Sequence, residues 1–361
     1  MTVQLGLGVL TGEWHPGQRH AAASHGDELA RSIDLARAAE THGLDSVWVS
    51  EHHFHESRYA GSLAAYCGAL VQATTRIGIG YGLAIAPLHH PVRLAEDAAF
   101  LDALSGGRFT LGLGLGYRDV EFQGMGVARG RRAVLTEQAI AVCRAAWSGQ
   151  SVGTDGGHML VSPRPDTAGG PPIMLGGHHP RAVDRAARLA DRYCMDAGTD
   201  SQTFEAGSGV NRGLVERVKL AVDGYRAALR RHGHPDADPP FSLNVGGFLH
   251  AEGRDAAWQA VAEGYMQTRR VYADWYGLAE PDGPEWHPET MTPEQVRSRQ
   301  GELLLGTVDE VLPTLAEVRD IVGGQLHVMF RSVYPWVGHD DTARSIEQLG
   351  ELRRALLEEE A

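Results

Sequence analysis

The sequence predicts an α/β fold, a (β/α)8 TIM barrel with insertions, and three observations carry that prediction. Short β-type runs alternate with longer helical stretches from end to end, eight βα units in all, the pattern of a parallel sheet wrapped by its crossover helices. The runs LDSVWV, RIGIGYG, PPIML and LHVMF are short and almost continuously apolar, as strands covered on both faces must be. A competing open doubly wound sheet wants a GxGxxG turn after its first strand, and GLGVLTGEWH supplies none.

The elements follow in order. The first strand is Val3 to Val9; after a polar loop, Ala30, Ile33, Leu35, Ala36 and Ala39 mark the apolar face of its helix. The second strand is Leu44 to Val49, with a helix from about Gly61 to Ala73. The third runs from Arg76 to about Ile85, and Pro91 opens the next helix where its missing N–H costs nothing. The fourth, Arg108 to Leu115, leads through a glycine-bearing loop to a helix from about Arg131 to Trp147. An insertion near 150–170 carries a hairpin signal at Asp155-Gly156-Gly157. Then come Pro172 to Leu175 with a helix from Arg181 to Ala190, Tyr193 to Met195 with a helix near Arg212 to His232, and Phe241 to Leu249. A second insertion near 275–300, rich in Trp, Pro and acidic residues, reads as a cover over one mouth of the barrel before the last strand, Gln325 to Phe330. With no break in composition and no short repeat, residues 1–361 are expected to form a single domain.

Composition narrows the function. At 43% hydrophobic and 22% charged residues the chain has the makings of a sizeable core. Its 33 basic and 46 acidic side chains give a net charge of −13, which repels phosphate backbones and anionic lipid, so neither a nucleic-acid nor a membrane partner is expected. Cys67, Cys143 and Cys194 are far apart and odd in number, which suits reduced core residues rather than disulfides or a zinc site. The N-terminus lacks a basic n-region and a small-residue cleavage site, and no apolar run approaches a membrane span, so a cytoplasmic location is expected.

Three stretches could carry chemistry. VWVSEHHFHE ends a core strand in Glu51, His52, His53, His55 and Glu56, at the carboxyl rim where barrel enzymes keep their active sites. A surface loop that happens to hold histidines is one reading. A metal site is the weakest, because adjacent residues of an extended chain point to opposite sides. Proton transfer by one imidazole is the third. His89 and His90, after the third strand, read as capping and packing residues of the next helix. Gly112, Gly114 and Gly116 strip one face of the fourth strand, either as a slot for a flat aromatic ligand or as a tight packing layer. Gly176, Gly177, His178 and His179 bridge the fifth strand to a helix N-terminus with Arg181 in its first turn, a place suited to a phosphate or else an ordinary βα turn.

The segments SVWVSEHHF, ATTRIGIGYGLAIAPLHHPVRLAEDAAFLDALSGGRFTLGLGLGYRDVEFQGMGV, PPIMLGG with RAARLAD, and LLLGTVDEVLPTLAEV, spread over about residues 40 to 330, resemble the bacterial luciferase-like flavin-dependent monooxygenases. The resemblance implies a luciferase-like barrel, paired as a homodimer, that binds reduced FMN without covalent attachment. A separate flavin reductase supplies the cofactor, and O2 is activated as a C4a-peroxyflavin to oxygenate a small-molecule substrate. It points to His52 as acid/base with His53 beside it, and to a non-proline cis peptide at Gly82-Leu83 under the flavin. Two positions depart from the family: a reactive Cys and a phosphate-binding Arg correspond to Gly114 and Leu115. Phosphate contacts are therefore expected from the loop Gly176 to His179 with Arg181 or Arg118, and Gly114 and Tyr117 are expected near the ring. An F420-dependent hydride-transfer enzyme is the alternative, although GYRDVEF replaces the Gly-Glu-x-x-Asn type motif of that group. A non-catalytic flavin-binding subunit is the second alternative, against which the Glu-His-His run argues.

Overall fold

The computed structural model describes residues 2–13, 24–152, 159–197, 213–234, 240–277, 283 and 286–359. Its strands are β1 (Thr2–Leu10), β2 (Ser46–Val49), β3 (Gly78–Tyr81), the two-residue β4 (Ala84–Ile85), β5 (Phe109–Gly114), β6 (Ile173–Gly176), β7 (Arg192–Asp196), β8 (Phe241–Leu249), β9 (Leu304–Gly306) and β10 (Gln325–Arg331). All pairings are parallel, in the order β1-β2-β3-β5-β6-β7-β8, and β10 pairs with both β8 and β1. Eight strands therefore close on themselves, which leaves the barrel without a free edge. The helices are α1 (His25–Thr41), α2 (Leu63–Ala73), α3 (Pro91–Ser105), α4 (Asp119–Gly124), α5 (Arg132–Trp147), α6 (Pro180–Leu189), α7 (Leu214–Arg231), α8 (Arg254–Trp275), α9 (Pro293–Gln300), α10 (Val308–Val322) and α11 (His339–Glu358). None among the described residues is long and apolar enough to cross a membrane.

Helix starts follow local chemistry. Ser24 caps α1 by accepting from the Asp27 N–H, and Thr307 and Glu310 form a reciprocal capping box on α10, satisfying donors that the first turn leaves without partners. Alternation along the strands divides the buried residues in two. Val47, Val49, Tyr193, Val328 and Phe330 face the helices in the main core. Val9, Trp48, Met174, Cys194 and Met329 form a separate inner cluster, with Leu83 packed on it.

Below that cluster is a polar layer. Ser46 Oγ accepts from Trp48 Nε1 at 2.8 Å and bonds His327 Nε2 at 2.8 Å, while His327 Nδ1 bonds Ser242 Oγ at 3.2 Å. Burial, aided by the charge of Arg192, pushes His327 well below the usual histidine range, so it serves as a neutral bridge between strands. The closure is tied from outside as well. Asp45 accepts from the Leu5 N–H at 2.8 Å and from Arg353 Nε and NH2 at 2.7 Å each, joining β1 to the last helix.

The expected third strand, Arg76 to Ile85, is interrupted. A cis peptide joins Gly82 to Leu83 between β3 and β4, where the resemblance places it. The hairpin expected at Asp155-Gly156-Gly157 lies outside the described residues; the flanks meet through the Val152 N–H and the Met159 carbonyl. The stretch before the last strand holds more structure than an insertion. α8 begins at Arg254, β9 pairs with β8 through Gly247 and Leu304, and Trp286, Met291 and Val296 pack with Trp258 and Tyr265 in a second small core.

Candidate active site

β2 delivers its last inward-facing residues to the mouth of the barrel, and the chain after Val49 carries Glu51, His52 and His53 across it. These side chains are held by two carboxylates. Glu51, 3% exposed, accepts from His53 Nε2 at 3.0 Å, from His89 Nε2 at 3.0 Å and from the Ile85 N–H at 2.6 Å. Burial alone would favour the neutral acid, but those bonds outweigh it and hold Glu51 at about 2. Burial lowers His89 and the Glu51 partnership raises it, with a net upward shift.

The second carboxylate is Glu121, on the short helix α4 after β5, fully buried. Its Oε1 bonds His52 Nδ1 at 3.2 Å and accepts from the His53 N–H at 3.0 Å and Arg118 NH1 at 2.9 Å. Burial opposes its charge; the His52 bond, the His53 N–H and Arg118 hold it below the usual carboxylate range. With Nδ1 committed to an ionised carboxylate, His52 presents Nε2 to Tyr272 OH at 3.3 Å. Burial keeps Tyr272 protonated, raised to about 12 even with Arg331 nearby.

Aromatic rings enclose the imidazole. Trp275 lies 4.5 Å from His52 by ring centroids, Tyr59 5.3 Å, Tyr272 5.9 Å and Tyr117 6.3 Å. Tyr272 and Trp275 share a face of α8 at the i, i+3 spacing, so the last turn of that helix places both over the mouth. Arg118 stacks on Trp275 at 4.1 Å.

Of the sequence-derived candidates, His52, His53, Tyr117 and Arg118 converge here. Arg118 is buried with NH1 bonded to Glu121 and, at 2.6 Å, to the His53 carbonyl, so it supports the histidines. His89, read as a capping residue, is a partner of Glu51. Glu121, in the YRDVEF segment, carries no sequence signal beyond its spacing of three from Arg118, and a tertiary contact over 69 positions gives it its place beside His52.

The glycine-lined slot on the fourth strand is filled at Gly112. A Cβ there would collide with the Tyr81 carbonyl and stand 2.9 Å from Leu83 Cδ2, so the packing reading holds at that position. The Leu83 side chain lies against Gly112, Gly114 and Gly176, with Cδ1 at 3.4 Å from a Cβ built on Gly114 and 2.5 Å from one on Gly176. At the helix after β6, His179 caps its own α6: its Nδ1 accepts from the Arg181 N–H at 3.1 Å, and Pro180 has no N–H. Part of the anion-binding capacity expected of Gly176, Gly177, His178, His179 and Arg181 is thus used within the chain. Gly177 adopts φ +133°, a conformation that favours glycine, and its carbonyl accepts from Tyr193 OH at 3.0 Å.

Comparison with known proteins bears on this arrangement. A family model described as luciferase-like monooxygenase matches residues 7–324. The chain is 28% identical over 337 residues to the 4-hydroxyprotoasukamycin monooxygenase of Streptomyces nodosus subsp. asukaensis, covering 89% of this chain and 85% of that one. Among solved structures it is similar to a type II Baeyer-Villiger monooxygenase, the oxygenating constituent of 3,6-diketocamphane monooxygenase from the CAM plasmid of Pseudomonas putida in complex with FMN. That match has a TM-score of 0.73 at 18% identity, covering 97% of this chain and 98% of that one. An F420-dependent secondary alcohol dehydrogenase in complex with an F420-acetone adduct matches with a TM-score of 0.72 at 17% identity, covering 99% of each. At such identities the structural likeness speaks to the fold.

Proposed function

The chain belongs to the luciferase-like monooxygenase family, and from that premise we propose that it is a flavin-dependent monooxygenase acting on a small or medium organic substrate. In this reading it works as a homodimer, with reduced FMN from a separate reductase and with O2. The observation that carries the proposal is the Glu121–His52–Tyr272 chain of hydrogen bonds set among aromatic rings at the mouth of the barrel.

The residues present suit a flavin. Ser50 Oγ, Tyr117 OH, Glu121 Oε2 and Trp275 Nε1 are buried around the mouth without hydrogen-bond partners, each at a cost of about 1–3 kcal/mol that a polar heteroaromatic ligand would relieve. Gly82, Leu83, Gly114 and Tyr117 would hold the ring, and Gly176 to His179 with Arg181 the phosphate. Reduced FMN, when bound, supplies the two electrons that allow one atom of O2 to enter the substrate and the other to leave as water.

This chain's residues do the rest. Glu121 fixes the His52 tautomer, so that Nε2 takes up or returns a proton, directly or through Tyr272 OH. Glu51 keeps His53 and His89 in place around it. Tyr59, Tyr272 and Trp275 exclude water from the imidazole, which strengthens the Glu121–His52 interaction.

Anaerobic titration of the purified protein with reduced FMN and with reduced F420 tests the cofactor, and O2 uptake with candidate substrates tests the reaction. His52→Ala is expected to lower turnover by about 10²- to 10⁴-fold; unchanged turnover would remove His52 from the mechanism. A second reading, F420-dependent hydride transfer, draws support from the near-equal likeness to the F420-dependent dehydrogenase. Tight F420 binding without FMN binding would select it.

A further inference from the structure

Trp275, the last residue of α8, stands between His52 and His55, with ring centroids 4.5 and 5.1 Å away. Tyr272 and Tyr59 close in at 4.9 and 5.5 Å. The indole also carries the Arg118 guanidinium, whose Cζ lies 4.1 Å from the ring centroid. Trp275 Nε1 is buried without a hydrogen-bond partner, so ring contacts alone hold the side chain. The next residue, Tyr276, stacks on Tyr117 at 4.7 Å with 15° between the planes, which seats the end of the helix a second time. Arg118 is the N-cap residue of α4, and its NH1 donates to Glu121 Oε1 at 2.9 Å and to the His53 carbonyl at 2.6 Å. A guanidinium is planar, so laying it on the indole also sets the direction in which NH1 points. The stack removes rotamer freedom that the Glu121 bond would otherwise have to overcome.

Both ring nitrogens of His52 are thereby tied to the end of one helix. Nε2 meets Tyr272 OH at 3.3 Å, and Nδ1 meets Glu121 Oε1 at 3.2 Å, the oxygen that Arg118 reaches from its seat on Trp275. Resting on the proton-transfer role given to His52 above, we propose that Trp275 is a positioning residue: by holding Arg118 on Glu121 it keeps the His52 proton on Nδ1. The imidazole is then set for proton transfer only while the last turn of α8 is seated. Lifting that turn uncovers the ring to water, takes Tyr272 from Nε2 and frees Arg118 to leave Glu121, so an open mouth is also an idle one. A residue that merely kept water out would act by its bulk and would not depend on Arg118.

The test uses the full chain without cofactor. Nitrogen NMR of the imidazoles, with His52 assigned from His52→Gln, reads the tautomer, and diethyl pyrocarbonate modification followed by mass spectrometry reads the reactivity of the ring. Wild type should show a single His52 tautomer protonated at Nδ1. Trp275→Leu should show exchange between the two tautomers, with modification faster by about 2- to 30-fold, the range of a cation–π contact. Trp275→Phe, which keeps a face for Arg118, should recover most of the loss. Arg118→Lys keeps the charge without the flat face, and in that background Trp275→Leu should change little further, because both act through one contact. Should Trp275→Leu fail to fold, Trp275→Met carries the comparison. An unchanged tautomer in Trp275→Leu, or effects of the two substitutions that simply multiply, would leave the indole a cover against water and overturn the proposal. If wild type binds neither FMN nor F420 while the tautomer pattern holds, the flavin reading fails and the positioning role stands.

Discussion

Glu121 and His52, 69 positions apart in the chain, meet at 3.2 Å through Oε1 and Nδ1, and the same carboxylate oxygen also receives Arg118 NH1 and the His53 N–H. One acceptor thus fixes the ring orientation of His52, the path of the chain that carries it, and the cation that neutralises the carboxylate. Both the local geometry and the proposed chemistry depend on that oxygen.

Glu121→Gln removes the charge and keeps the size. Turnover should fall about 10- to 100-fold, the scale of a lost charge-assisted hydrogen bond, with flavin affinity little changed. Measuring kcat against pH for wild type, Glu121→Gln and Glu121→Asp separates positioning from folding: partial recovery and an intact profile in the Asp variant are expected. An unaltered kcat in the Gln variant would refute the role.

Acid stability should depend on Glu51. Its folded value of about 2 lies below the ordinary 4.5, so its contribution is present above pH 4.5 and is lost as pH falls toward 2. The size at neutral pH is on the order of 3 kcal/mol, shared with its histidine partners rather than added to theirs. His89 runs the other way: raised above 6.5, it contributes fully below that pH and fades as pH rises through its folded value. Urea unfolding of wild type and Glu51→Gln across the acid range should show a flatter acid limb in the variant.

Barrel closure should be sensitive to Asp45. Arg353→Ala loses a bidentate, partly exposed pair and is expected to cost about 1 kcal/mol. Asp45→Ala also leaves the Leu5 N–H without its acceptor and should cost about 1–3 kcal/mol more. Denaturant midpoints that do not differ between the two variants would remove the link to β1.

Gly112→Ala should be far worse than Gly114→Ala. The first forces a methyl group into the Tyr81 carbonyl and Leu83, with an overpacking cost of about 1–3 kcal/mol or more. The second meets nothing closer than Leu83 Cδ1 at 3.4 Å, an ordinary contact. Thermal melts of both variants, with FMN titration of Gly114→Ala, check this.

The barrel was legible in the sequence because its signals are local. Near-continuous apolar runs announce strands buried on both faces, and Pro91 stands at the observed first residue of α3. The Glu51-His52-His53 run, too, was legible as a rim cluster, since a polar ending on a core strand has a position in this topology. The role of His89 beyond capping and packing is not legible locally, because its partner, Glu51, lies 38 positions away.

What the sequence by itself determined is therefore the order and type of the strands, the rim they lead to, and the histidines that stand there. Only the tertiary structure decided which groups those histidines serve. Closing the barrel brings Glu121 under His52, turns Leu83 into the glycine slot, swings the end of α8 over the mouth, and sets the Trp275 indole against Arg118. Periodicity records which face of an element is buried, but pairings between distant segments arise from packing, and no local pattern encodes them.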